Sequence, residues 1–316
     1  MKDRDCEDQS VETAVSVIIV NWNTKNILTN CIDSIYQTID NLSYEIIVVD
    51  NASSDGSQEL LQERYPQVIK IFNSVNRGFG AANNQGFAVM KGKYALLLNS
   101  DTILTPGAIN KLYSFASRHP QVAIVCGQLL NADGTRQNSI AAFPTLLTLA
   151  ANTSLLEYLF PCWYPSKRYK HAFPIGIDSA IGACMLIQKK ALDEVGFFDE
   201  RYFFFFEETD LAYAFSRKGW SVYYIPDAFI YHLQGQSIGH NVGSRIEFYR
   251  SRYQFFRKWH NRSYYYLAKV IIFLRLLVNG FSSLISVVLT LGLNKKLRDK
   301  LVMYSKLILG HFKKQL

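Results

Sequence analysis

Residues 15–57 read VSVIIVNWNTKNILTNCIDSIYQTIDNLSYEIIVVDNASSDGS, and their pattern decides the fold class. Two runs within them, VIIV at 17–20 and IIVV at 46–49, are continuously apolar and rich in β-branched residues. Runs without polar alternation belong to strands covered on both faces, the condition of a parallel sheet. Between them Ile27, Leu28, Cys31, Ile32 and Ile35 recur at helical spacing, with Thr24 as the expected N-cap. Working outward, the apolar run repeats at 68–72, 95–98 and 122–126, at intervals of 22 to 29 residues. A second helix is expected after Asp55-Gly56-Ser57, ending at Pro66. Another follows Asp101, with Thr105 as its cap and Pro106 at its first position. This alternation predicts an α/β fold, a mostly parallel Rossmann-like sheet with flanking helices.

Ligands of such sheets bind beyond the carboxyl ends of the strands, so the loops there are the candidate site. They carry Asn21-Trp22-Asn23, DNASSDGS at 50–57, NRGFGAANN at 76–84 and Asn99-Ser100-Asp101. Asn, Asp, Ser and Gly are ordinary turn residues, but four such segments at one sheet edge point to a binding site. Over 127–180 the periodicity lapses, and Phe160, Trp163, Tyr164, Tyr169 and Phe173 stand among prolines and basic residues, a variable wall over the sheet. Residues 183–187 read as a further strand. Glu207-Glu208-Thr209-Asp210 then opens a helix with the stripe Leu211, Ala214 and Phe215 and with Gly219 at C′. Acidic residues favour a helix start, yet three carboxylates behind four phenylalanines exceed that need. A carboxyl group against apolar surface has its pKa raised toward the range of a general base. Residues 222–225 and 229–231 read as two strands, the second delivering His232 ahead of a small polar segment, 234–239, suited to a flap.

The chain has 316 residues, 49% hydrophobic and 19% charged, a composition that builds a sizeable core and excludes a disordered chain. Its five cysteines are scattered without a C-x-x-C pair, which points to reduced thiols rather than a disulfide framework or zinc ribbon. Residues 1–14 are polar and contain no apolar run of the kind a secretory signal needs. The net charge of +8 conceals an asymmetry: from Arg245 onward 15 Lys and Arg face only Glu247 and Asp299. The uncharged stretch 276–294 is flanked by Arg262 and Lys269 on one side and by Lys295, Lys296, Arg298 and Lys300 on the other. Basic residues bordering an apolar helix favour attachment in a membrane interface over a committed span. A helical hairpin packed on the body is the other reading. A basic excess placed in an apolar tail does not make a nucleic-acid groove. Four regions result: a polar extension (1–14), an alternating α/β half (15–126), a second half that carries the Glu207-Glu208 helix start and His232 (127–244) and a basic helical tail (245–316).

Six segments in order resemble the inverting nucleotide-sugar glycosyltransferases of family 2, which have the GT-A fold, and among them the rhamnosyltransferase-like bacterial members. They are VSVIIVNWN (15–23), IIVVDNASSDGS (46–57), NRGFGAANNQG (76–86), LLLNSDT (96–102), GACMLI (182–187) and GFFDERYFFFFEETDLAYAFSRKGW (196–220). The resemblance implies that Asn21, Asn23 and Asp50 line the pocket for the base, and that Arg77, Gly78 and Asn83 hold the nucleotide-sugar. It places Asn99 and Asp101 at the family's D-x-D element, where Asp101 binds a divalent cation, Mg²⁺ or Mn²⁺, that bridges the diphosphate. Asn99 departs from the first acidic position of that element and leaves fewer anionic ligands. His232 matches a position that can complete the cation site. Glu208 falls on the catalytic base, with Glu207 and Asp210 as neighbours. The implied activity is transfer of a sugar, L-rhamnose from dTDP-rhamnose, to a lipid-linked or polysaccharide acceptor by a cytoplasmic enzyme attached to the inner membrane face; a UDP- or GDP-sugar donor is the alternative.

Other classes fit less well. Gly78-Phe79-Gly80 suggests a dinucleotide-binding fingerprint, but its third glycine is replaced by Asn83 and it follows the third strand rather than the first. A nucleotidyltransferase would carry an early glycine-rich phosphate loop with Lys or Arg. A non-catalytic sugar- or membrane-binding module would have no need of Asp101 and the Glu207-Glu208 pair.

Overall fold

The computed structural model describes residues 12–165, 170–233 and 242–312, so the expected flap at 234–239, Tyr169 and most of the N-terminal extension lie outside the described residues. The first half alternates as the apolar runs predict: β1 (Val15–Asn21), α1 (Lys25–Thr38), β2 (Tyr44–Asp50), α2 (Ser57–Arg64), β3 (Ile69–Phe72), α3 (Phe79–Val89) and β4 (Tyr94–Asn99). A short β5 (Thr102–Leu104), α4 (Ala108–Arg118) and β6 (Val122–Leu130) come next. The aperiodic stretch holds small elements: β7 (Ile140–Ala141), α5 (Leu146–Ala150), α6 (Thr153–Leu159), β8 (Ile175–Ile177) and β9 (Ser179–Ala180). After β10 (Cys184–Gln188), α7 (Lys189–Val195), α8 (Glu207–Arg217) and β11 (Ser221–His232), three long helices end the chain: α9 (Val242–Trp259), α10 (Arg262–Leu289) and α11 (Lys295–Phe312).

The main sheet runs β3-β2-β1-β4-β10-β6-β11-β5, with β8 added on β11. Strands β1 to β4 are mutually parallel, whereas β10 lies antiparallel between β4 and β6. Successive residues of β1 enter opposite cores: Val15, Val17 and Ile19 join α1 and α4 on one face, and Ile18 joins α3 and α8 on the other. Two covered faces account for the uninterrupted apolar runs.

Several local expectations are corrected. Thr24 stands at the N-cap position without capping: its hydroxyl donates to Asn21 Oδ1 (2.6 Å), and Asp55 Oδ2 accepts from Lys25 N (2.8 Å) instead. Thr105 donates to the Phe229 carbonyl (2.7 Å), and α4 begins only at Ala108, after a left-handed Gly107. The two strands expected around Pro226 are one, β11, whose pairing with β6 shifts register between Ile225 and Phe229, because proline gives no N–H to the ladder.

The C-terminal helices join the body through α9. Phe248, Phe255 and Trp259 pack on Phe205, Phe206 and Tyr213, before and within α8. Beneath them Asp210 accepts from Lys258 Nζ (2.5 Å), Trp259 Nε1 (2.6 Å) and Tyr202 Oη (3.0 Å). α10 and α11 form a hairpin that buries Ala268, Ile272, Leu276 and Gly280, a four-residue stripe, on one side of α10. Its other side leaves Val270, Leu274, Val278, Phe281, Ile285 and Val288 exposed. Asp210→Ala would leave the indole N–H unpaired and Lys258 with Asp199 (2.9 Å) as its remaining carboxylate, so it is expected to cost about 1–3 kcal/mol of folding stability, measured by urea unfolding. A loss within experimental error would show that the ion pair does not anchor α9.

Candidate active site

The edges of β1 and β2 end level, with Asn21 opposite Asp50. Asn21 Nδ2 donates to Asp50 Oδ2 (2.8 Å) and Ser53 Oγ (3.1 Å), while Asp50 Oδ1 accepts from Ser53 N (3.0 Å) and Gln58 Nε2 (2.8 Å). Both residues are fully buried, so in this state they frame the first two loops with bonded groups. Asn23 is exposed, in a left-handed conformation, and its Oδ1 accepts from Ser54 N (2.8 Å). Asn51, to which sequence reading gave no role, ties the second loop to the third. Its Nδ2 donates to Asn76 Oδ1 (2.9 Å) and the Gly78 carbonyl (3.2 Å), and its Oδ1 accepts from Arg77 N (3.0 Å).

That loop presents the exposed Arg77 side chain 3.8 Å from Glu200. Gly78 sits at φ +86°, where a Cβ would come within 2.5 Å of the Phe203 carbonyl oxygen, so the position admits glycine alone. Phe79 N donates to the same carbonyl (3.2 Å), and Asn83, buried in α3, donates to the Phe79 carbonyl (3.0 Å). The third loop is thereby fixed to the aromatic segment that precedes α8.

At the end of β4, Asn99 is half-buried and Asp101 buried. The short β5 turns back along β11 and brings Asp101 Oδ1 to 3.4 Å from His232 Nε2. Asp101 Oδ1 is buried with no hydrogen-bond partner among the described residues. Gln137 explains why. Its amide nitrogen donates to the His232 carbonyl (2.5 Å) and the Leu130 carbonyl (3.3 Å), which turns its Oε1 toward His232 Nδ1 (3.0 Å). A carboxamide oxygen only accepts, so Nδ1 carries the proton in the neutral ring and Nε2 keeps a lone pair facing a carboxylate. Two electron-pair donors aimed at one point suit a cation between them. Among the described residues no group of three His, Cys, Asp or Glu side chains surrounds such a point.

Glu207 and Glu208 follow Phe205 and Phe206, consecutive residues at φ +70° and +72°. Bulky residues in this region store on the order of 1–3 kcal/mol each, and the aromatic packing of α9 holds them there. Glu207 is buried with Oε2 unpartnered. Burial, followed by the charge of Glu208, drives its pKa well above the ordinary carboxylate value. Glu208 keeps partial access to the cleft, and burial raises its pKa to about 7.

The two clusters share one end of the β4–β10 pair. Asn99 N donates to the Ala183 carbonyl (2.9 Å), and the adjacent Gly182 would place a Cβ 4.0 Å from Glu208 Cδ. On the other flank, a Cβ on Gly80 would lie 3.7 Å from Glu207 Cβ. The third loop, the Asp101 turn and the start of α8 therefore gather as one cluster at this end of the sheet. Asp210 is not part of it, since its carboxylate is taken up by Lys258, Trp259 and Tyr202. Gln137 and the α9 residues Phe248 and Ser251, the latter donating to the Phe204 carbonyl (3.0 Å), escape sequence reading because they act through other side chains rather than through a motif.

Comparison with known proteins follows the same lines. The family model for glycosyl transferase family 2 matches residues 16–196. An N-acetylglucosaminyl-diphospho-decaprenol L-rhamnosyltransferase of Mycobacterium tuberculosis is 29% identical over 238 residues, 68% of this chain and 75% of that protein. A low-salt glycan biosynthesis hexosyltransferase, Agl10, of Haloferax volcanii is 26% identical over 68% of this chain and 66% of its own. In fold, S. aureus TarS residues 1–349 superpose with a TM-score of 0.54 at 14% identity, covering 96% of this chain and 81% of that one. GalNAc-T7, solved with UDP, GalNAc and Mn²⁺, gives 0.57 at 16% identity over 77% of this chain and 48% of that one. The GT-A architecture expected from the motifs is borne out, and the chain is a glycosyltransferase belonging to glycosyl transferase family 2.

Proposed function

We propose that this enzyme transfers L-rhamnose from dTDP-rhamnose, with inversion, to a hydroxyl of a sugar carried on a lipid diphosphate. The juxtaposition that supports the mechanism is Glu208, whose pKa burial raises to about 7, beside Gly182 at the end of the strand pair that leads into the Asp101–His232 couple. The similarity to the mycobacterial rhamnosyltransferase supports L-rhamnose as the sugar and a lipid-diphosphate-linked acceptor. Asn23, Arg77 and Asn99 border the donor side, and Asn21, Asp50, Gly78 and Asn83 hold its loops in shape.

Glu208 accepts the acceptor hydroxyl proton as that oxygen attacks the anomeric carbon. The new C–O bond forms on the face opposite the departing diphosphate, which leaves with the electron pair of the bond that breaks. A single displacement of this kind inverts the anomeric configuration. Burial favours the protonated form of Glu207, which limits the negative charge beside the base. A divalent cation, Mg²⁺ or Mn²⁺, would neutralise charge on the leaving diphosphate when bound. Asp101 Oδ1 and His232 Nε2 would hold it, and Gln137 keeps the imidazole in the ligating tautomer. The bare side of α10 and the basic residues around it support attachment to the inner membrane face.

Glu208→Gln is expected to lower kcat by about 10²–10⁴-fold without loss of donor binding, and wild-type kcat/KM should fall tenfold per pH unit below about 7. Transfer retained in Glu208→Gln would remove the base. The raised folded pKa values of Glu207 and Glu208 favour their protonated forms, so stability is greatest below their unfolded values and falls as pH rises through 7. Glu207→Gln should therefore flatten the fall of Tm between pH 5 and pH 8, and an unchanged slope would contradict its protonation. Gln137→Leu should weaken Mn²⁺ binding, followed by electron paramagnetic resonance, by about 10–100-fold. Unaltered affinity would dismiss the tautomer argument.

A further inference from the structure

Arg245, Tyr249 and Arg252 fall on one face of α9, at spacings of four and three residues. The guanidinium of Arg252 lies over the Phe248 ring (4.5 Å from its centroid) and near Tyr249 (5.5 Å), with Nε buried and unbonded among the described residues. Arg275 approaches from α10, donating from Nη1 to the Leu149 carbonyl of α5 (2.7 Å). Among the described residues no carboxylate pairs with any of the three; Glu247 pairs with Arg250 instead. Burial, then the charges of Arg275 and Arg245, push the Arg252 guanidinium down to about 10. Three mutually repelling cations, one stacked and half-buried, are an incomplete arrangement unless an anion enters.

Their position says which anion. Phe248 also packs against Phe205 (5.6 Å) and Phe206 (5.4 Å), the residues leading into Glu207 and Glu208. Arg252 is thus one aromatic ring from the catalytic loop. On its other side begins the exposed apolar side of α10, with Val270 and Leu274 within two turns of Arg275. We propose that Arg245, Arg252 and Arg275 bind the diphosphate of a polyprenyl-diphosphate-linked acceptor, with its sugar toward Glu208 and its chain along α10. The site deepens, and rests on, the lipid-linked acceptor read above. Planar guanidinium groups suit the paired oxygens of a diphosphate, and stacking fixes the Arg252 fork before the ligand arrives. Bulk anionic headgroups need no such preorganisation and are met by exposed lysines such as Lys295, Lys296 and Lys300.

The test uses the full chain in detergent micelles with farnesyl diphosphate and farnesol as probes. Wild type should bind the diphosphate at least tenfold more tightly than the alcohol. Arg252→Gln and Arg275→Gln should each remove about tenfold of that preference, and so should Arg245→Gln, an exposed change that leaves the fold intact. A thermal shift with dTDP-rhamnose serves as the folding control. Binding to phosphatidylcholine vesicles doped with phosphatidylglycerol should not change in Arg252→Gln. Equal binding of the two probes by wild type, or variants with an undiminished preference, would overturn the site. A parallel loss of vesicle binding would assign the cluster to bulk headgroups and overturn it too. If the diphosphate preference behaves as expected but no polyprenyl-diphosphate sugar is glycosylated, the acceptor reading fails and the anion site stands.

Discussion

A backbone contact ties the two sides of the candidate site: the carbonyl of Phe203 pressed against Gly78 and accepting from Phe79 N. It joins a loop following a strand of the N-terminal half to the segment that starts α8, far along the chain. Asn84 reinforces it, donating to the Phe198 carbonyl (2.9 Å) and accepting from Phe198 N (3.0 Å), so that the third loop and α3 stay beside Glu207 and Glu208. The Phe203 contact requires glycine at 78, and the segment that makes it continues into two successive phenylalanines in left-handed backbone; both are costly without support. Asn51 supports the first by bonding the loop from three sides, and α9 supports the second with a layer of aromatic rings. The C-terminal helices are therefore structural members of the site as well as a basic appendage.

Electrostatics divide the cleft into two kinds of half-site. Around Glu207 and Glu208 low polarity stores protons, because burial penalises charged carboxylates and the pair penalises a second charge. Around Asp101 and His232 the problem is reversed: in the neutral-ring tautomer that Gln137 sets, two lone-pair donors face each other, a demand for positive charge. Transfer to an acceptor hydroxyl requires both, a base on one side and charge neutralisation of the leaving group on the other.

Much of this was legible in the sequence because it is carried by local patterns. Uninterrupted apolar runs revealed the strands, and the polar segments after them revealed the edge that binds ligand. The Asp101 turn and the Glu207-Glu208 helix start stood out by residue type. What escaped were relations between distant residues. The reversed direction of β10 has no signature, since CMLI buried on both faces reads the same either way. Thr24 and Thr105 looked like caps because a hydroxyl before a helix normally bonds its first turn, but each found a tertiary partner. Asp210 looked like a third catalytic carboxylate until Lys258 and Trp259, 48 and 49 residues later, claimed it. Gln137 carries no motif at all, and only its two carbonyl acceptors reveal which way its amide turns.

The central claim is that Asp101 and Glu208 serve one cleft from opposite sides. Anomalous diffraction from crystals grown with Mn²⁺ and dTDP-rhamnose tests it most directly. The account requires a manganese peak within about 2.3 Å of Asp101 Oδ1 and His232 Nε2, with the rhamnose anomeric carbon turned toward Glu208. A peak on another surface, or a sugar lying out of reach of Glu208, would contradict it.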